Sequence, residues 1–204
     1  MSAIVQVTSF RSSEEYIRLH KHDGDGASLD KAKAEMARKS CTEQGCLGVF
    51  HGLRIEDSTT GYLMTAWDSL DKLRASRDAS AFVDSMTGGA RTSQQTFVVA
   101  GEHPLPALHS PVTELVVLTP HNDADGPRVL ASMGVVASEL HKVGAESAWG
   151  PCVEEPQVCG MVCGWESMEV HQKTVGKPPF SSLIGSIAEV ADIGYGHCKL
   201  MKVA

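Results

Sequence analysis

The chain has 204 residues, 42% hydrophobic and 21% charged, an ordinary globular balance that fits one large domain or two small ones. Its net charge of −7, with no Lys/Arg-rich run, argues against nucleic acid or an anionic membrane surface as a partner. No basic-then-apolar leader opens it and no stretch approaches ~18 uninterrupted apolar residues, so the expectation is a cytoplasmic protein that does not span a membrane.

In chain order, AIVQVTSF is a strand by its β-branched content. RLHKHDGDG follows as a polar, Gly-rich insertion. SLDKAKAEMARKSCTEQ has weak helical spacing, with Ser28 as N-cap and Gly45 as stop. CLGVFHGLRIED and TGYLMTAWD are strands, SLDKLRASRDASAFVDSMTG is a helix, and QQTFVVAGE is a fourth strand. After the Pro-rich GEHPLPALHSPV the order recurs: strand TELVVLTP, helix GPRVLASMGVVASELHKVG, strands AESAWGPCVEE and QVCGMVCGWE. The next helical stretch, SMEVHQKTV to FSSLIGSIAEVAD, must break at Gly176-Lys177-Pro178-Pro179, and GYGHCKLMKV closes the copy as a strand.

Trp165 lies 98 residues after Trp67, and the same offset aligns His51-Gly52 with Trp149-Gly150, Phe82 with Phe180 and Val99 with His197. The chain therefore reads as two copies of one unit, 1–100 and 113–204, joined by a linker at 101–112. The first copy carries about 13 extra residues between its first strand and first helix. The order β-α-β-β-α-β is the ferredoxin-like α+β pattern, whose helices cover one face of the sheet.

GCLGVFHGLRIED with GYLMTAWDSLDKL, and CGWESMEVHQKTVGKPPFSSLI, resemble the antibiotic-biosynthesis-monooxygenase type of the dimeric α+β barrel superfamily. His171 and Phe180 match the His and Phe often found in the second helix of that family, whereas the first copy has Leu73 in place of the His. The resemblance implies two ferredoxin-like repeats packed sheet to sheet as an internal pseudo-dimer, with an apolar pocket between sheet and helices in each. It also implies several activities: cofactor-free oxygenation of phenolic polyketides, polyketide cyclisation, or haem degradation. Haem-degrading relatives use an Asn on the first strand, and neither first strand here has one.

Nine histidines are many for this length. His103 and His109 fall in the linker, and His141 suits the negative end of its helix. His20 and His22, with Asp23 and Asp25, are a weak candidate for a metal. His51, in an apolar strand, is a candidate general base. Tyr195 and His197 share a strand face, and with His171 and Trp165 they could line one pocket. The catalytic candidates are thus His51, His171, His197 and Tyr195. Tyr62, Trp67, Trp149, Trp165, Phe180 and His121 are substrate-binding candidates, and no metal site is assigned. Both Trp67 and Trp165 also suit a plain packing role.

The six cysteines read as buried thiols. Cys159 and Cys163 lie roughly 13 Å apart along a strand, too far for one ion. No phosphate-binding loop, dinucleotide fingerprint or nucleophile elbow is present.

The leading expectation is a cofactor-independent, monooxygenase- or cyclase-like enzyme. It would act on a small apolar aromatic or polyketide-derived substrate by His-assisted proton transfer. The alternatives are a non-enzymatic ligand-binding or stress-response barrel, and a haem-binding protein with His171 or His197 as axial ligand. A homodimer of the fused chain is a further possibility.

Overall fold

A computed structural model describes residues 3–21, 45–76, 90–99 and 103–203. The chain divides into two compact units: Met1–Thr96 with Cys198–Ala204, and Phe97–His197. Both are α+β with antiparallel sheets.

In the first unit, β1 (Ala3–Arg11) pairs with β3 (Thr60–Trp67) from Ile4 opposite Trp67 to Arg11 opposite Thr60. Seven of the eight β3 residues are buried, as expected of a strand covered on both faces and rich in apolar side chains. On its other side β3 pairs with β2 (Cys46–Leu53), which carries an irregularity at Cys46/Gly48. The full order is β4-β1-β3-β2-β9, with β4 at Arg91–Val99 and β9 at Met201–Lys202. The turn between β2 and β3 is fastened by Asp57, whose carboxylate accepts from the Thr59 and Thr60 amides at 2.7 and 2.8 Å. A Cβ on Gly61 would collide with the Phe10 ring, so glycine is what lets that ring lie across the strand.

Two helices of the first unit are described. Helix α1 (Glu14–Lys21) falls where the sequence suggested only an insertion, and its Tyr16 is buried against Phe10, Val49 and Leu63. Helix α2 (Leu70–Ala75) starts at Ser69, whose hydroxyl accepts from the Lys72 amide, and it buries Leu73. The helix expected over SLDKAKAEMARKSCTEQ, the possible metal ligands His22, Asp23 and Asp25, and the later part of the second helix with Phe82 lie outside the described residues.

The second unit has the sheet β8-β5-β7-β6, the strand order of the first unit's β4-β1-β3-β2. Here β5 is Val112–Pro120, β6 Ser147–Pro151, β7 Cys159–Trp165 and β8 Ala191–Cys198. Val112 stands opposite Trp165 as Ile4 stands opposite Trp67, so the two sheets share register as well as order. The expected linker contains a short helix, α3 (Leu105–Leu108), which buries Ala107 and Leu108.

Helix α4 (Gly126–Lys142) starts with a Pro in its first turn and sets Val129, Met133 and Leu140 on one side. These meet Cys159, Met161, Cys163 and Trp165 of β7 in one apolar cluster. Each such buried side chain contributes about 1.5–3 kcal/mol. Gly144, at φ 76°, follows the helix in the left-handed region that glycine tolerates. The last helical stretch breaks as expected, into α5 (Met168–Val175) and α6 (Phe180–Ala188), with a cis Pro178–Pro179 peptide between them. Among the described residues, no helix is long and apolar enough to cross a membrane.

Candidate functional site

Strand β5 places Val112, Glu114, Val116 and Leu118 on one face, the face that α4 and α6 cover. A carboxylate therefore enters an otherwise apolar core, and Glu114 is only 9% exposed. Burial of an unsupported charge is costly, so its surroundings must compensate. Trp165, at the end of β7, donates its indole N–H to Glu114 Oε2 at 3.0 Å. Ser167 caps α5 by accepting from the Val170 amide at 3.2 Å, which fixes His171 one turn into the helix. The His171 Nε2 atom lies 3.5 Å from Glu114 Oε2, and His197 Nε2 of β8 lies 3.7 Å from Oε1. The two imidazole centroids are 4.4 Å apart, and Trp165 packs edge-on against His171 at 4.9 Å. The histidines are 8% and 2% exposed.

The fold thus brings together His171, His197 and Trp165, all foreseen, with Glu114, which sequence reasoning missed. The available signal was a lone charge in TELVVL, in phase with the buried valines. Phe180 is buried in the same apolar cluster. Tyr195 reaches the edge of the His197 ring at 5.9 Å but is 56% exposed, so it stands at the surface and not in the core. Trp149 packs on α4 at Gly134, on the far edge strand of the sheet. His121 sits outside the core, in an exposed ion pair with Asp192 at 3.5 Å.

The first unit has a different arrangement. Gln6 stands opposite Thr65 as Glu114 stands opposite Cys163, and the 98-residue offset puts Leu73 and Val99 where the second unit has His171 and His197. Trp67 donates to Thr65 of its own strand at 2.8 Å, a packing role. Tyr62 is buried, which raises its phenol above the ordinary value. His51 does join a polar group: its Nδ1 lies 2.8 Å from the Tyr16 hydroxyl, while His20 Nδ1 meets the Tyr16 carbonyl at 2.9 Å. Burial, and then the neighbouring His20, push His51 down to about 3, and burial raises Tyr16. Both groups are neutral near pH 7, and so weakly basic an imidazole has little drive to take a proton from substrate.

Among the described residues the cysteines are free thiols, and Cys152, Cys159, Cys163 and Cys198 are buried. Burial raises Cys159 to about 12 and Cys163 well above its ordinary value, the latter reinforced by the Glu114 carboxylate. These thiols stay protonated and act as core side chains.

As placed, the two imidazoles are not arranged as axial haem ligands. An axial imidazole must present a nitrogen to the centre of a flat macrocycle. Here both Nε2 atoms face one carboxylate, and the second imidazole and the Trp165 indole crowd the same space.

No family model matches the sequence, and no curated protein does. The fold does have solved counterparts. A presumed monooxygenase from Fusobacterium nucleatum matches with a TM-score of 0.65 at 8% identity, over 98% of this chain and 92% of its own. An anthrone oxidase-like protein matches with a TM-score of 0.62 at 13% identity, over 100% and 94%. A haem-binding protein from Thermus thermophilus matches with a TM-score of 0.58 at 12% identity, over 99% and 92%. Likeness at such low identity speaks for architecture and leaves activity to the site itself. These likenesses show the fold alone: the chain is α+β, with two ferredoxin-like units in one polypeptide.

Proposed function

We propose that the second unit is the working site of a small-molecule enzyme and that Glu114, His171 and His197 take a proton from the substrate. The observation that supports this is a buried carboxylate set between two imidazoles, a set that among the described residues falls in the second unit. In this reading an imidazole accepts the proton and Glu114 balances the charge. Trp165 holds the carboxylate in place through its 3.0 Å hydrogen bond. The surrounding Met161, Cys163 and Phe180 keep water away, which strengthens each charge interaction.

A group recruited this way suits a substrate with one weakly acidic proton on a largely apolar frame, such as a phenol or a carbon acid beside a carbonyl. The resulting anion reacts with dioxygen in a monooxygenase-like reaction, or with an internal carbonyl in a cyclisation. The anthrone oxidase-like neighbour makes anthrones a sensible first probe. The test is oxygen uptake or product formation with a panel of anthrones and polycyclic phenols, in wild type, Glu114→Gln and the His171→Gln/His197→Gln double variant. Loss of general-base help lowers turnover by about 10²–10⁴-fold. Unchanged turnover in the double variant would overturn the proposal. The same substitutions tell an enzyme from a plain binding barrel: a binder shows saturable association and no turnover in any form.

A further inference from the structure

We infer that Glu114, His171 and His197 form a binding site for one first-row divalent cation. One donor atom from each residue lies within 4.8 Å of the other two, on three separate elements, β5, α5 and β8. An ion held by imidazole nitrogen and carboxylate oxygen at about 2.0–2.2 Å sets neighbouring donors about 3 Å apart. The two imidazole–carboxylate separations, 3.5 and 3.7 Å, exceed the 2.7–2.9 Å typical of a charge-assisted hydrogen bond and approach that spacing. Side-chain rotation brings the donors onto a common ion.

The chemistry of the donors selects the ion. Two imidazoles and one carboxylate suit zinc, iron(II), cobalt or nickel, whereas calcium and magnesium prefer all-oxygen sets. Three protein ligands leave coordination positions open for water or a substrate oxygen. The carboxylate also has an outer partner, the Trp165 indole N–H at 3.0 Å, of the kind that orients a metal-binding carboxylate. The site is buried and adjoins the apolar cluster that contains Met161, Cys163, Trp165 and Phe180.

This inference uses the same three residues as the proposed proton transfer but does not depend on it. Metal and proton compete for the same imidazole lone pairs, so the two roles belong to different forms of the protein: the ion-free cluster acts as the base and the ion-loaded cluster does not.

The experiment is a titration of metal-stripped, full-length protein with cobalt(II), followed by its visible d–d absorption, with zinc(II) calorimetry for stoichiometry. One equivalent per chain is expected, with intense bands of low coordination number. Glu114→Gln and the His171→Gln/His197→Gln double variant should each bind at least about 100-fold more weakly, and Trp165→Phe about tenfold. X-ray absorption on the zinc-loaded wild type, which needs no variant to fold, should report two imidazoles and an oxygen bound directly to the ion. Absence of saturable binding, a coordination sphere without two imidazoles, or full binding by the double variant would each overturn the inference. Turnover is read separately. An active stripped protein leaves the metal result standing. An inactive stripped protein restored by the ion supports this site and removes metal-free proton transfer.

Discussion

The locked state of His51 gives a quantitative expectation. The residue is 3% exposed, its Nδ1 lies 2.8 Å from the Tyr16 hydroxyl with the His20 ring beside it, and its native value is about 3 against an ordinary 6.5. A folded-state value below the unfolded one means that the unfolded chain binds the extra proton. The stabilising contribution is therefore complete above pH 6.5 and is lost as pH falls from 6.5 toward about 3. At about 1.4 kcal/mol per pH unit the full window is on the order of 5 kcal/mol, and the part between pH 6.5 and 4.5 is about 2–3 kcal/mol. The perturbation is His51→Asn, which keeps a polar atom near the Nδ1 position for Tyr16 but does not titrate. Urea unfolding of both proteins at pH 7.0, 5.5 and 4.5 isolates the difference, because the other histidines and the carboxylates are common to both. Wild type should lose about 2–3 kcal/mol more than the variant across that range. Parallel losses would refute the reasoning and reopen His51 as a titrating base.

Other consequences are as direct. Glu114→Leu should abolish turnover while changing stability by no more than about 1–3 kcal/mol, because the desolvated charge is removed as the Trp165 N–H loses its acceptor; a melting curve and an activity assay separate the two effects. Gly150→Ala should be strongly destabilising, at the upper end of the 1–3 kcal/mol of overpacking or beyond, since the new Cβ would meet the Val98 carbonyl oxygen, a backbone atom no rotamer change can move; thermal denaturation reads this. A thiol reagent followed by peptide mapping should label Cys152, Cys159, Cys163 and Cys198 only after unfolding, in keeping with their burial and raised values.

The fold was legible wherever the two copies repeat themselves. The Trp67–Trp165 offset located equivalent strands because each Trp ends an inner strand of its sheet, opposite Ile4 in one unit and Val112 in the other. The prolines after Gly176 dictated the break between α5 and α6, as Pro ends a helix through its own covalent geometry. Helix α1 escaped sequence reading because EEYIRLHK spans only about two turns, too short a window for its apolar residues to establish a helical period. In α3 the prolines that signalled a linker instead occupy a first helical turn, where they are tolerated. The candidate site was half legible. Strand parity put Tyr195 and His197 on one face, but parity says nothing of where a strand leaves the core, and Tyr195 ends at the surface. No motif announces Glu114, yet the cost of burying a charge makes a single acid in an apolar strand a more telling residue than any one histidine.

The pairing of β9 with β2 has a consequence for biosynthesis. Residues that complete the first unit's sheet follow the entire second unit in the chain. On the ribosome, β2, which ends at Leu53, therefore emerges with a bare edge and keeps it until β9 is made from Met201 onward, an invitation to mispair with a neighbouring nascent chain. Directional synthesis thus ties completion of the first half to that of the second. A cut in the connecting segment yields two fragments of unequal prospects, the first of them short of a strand.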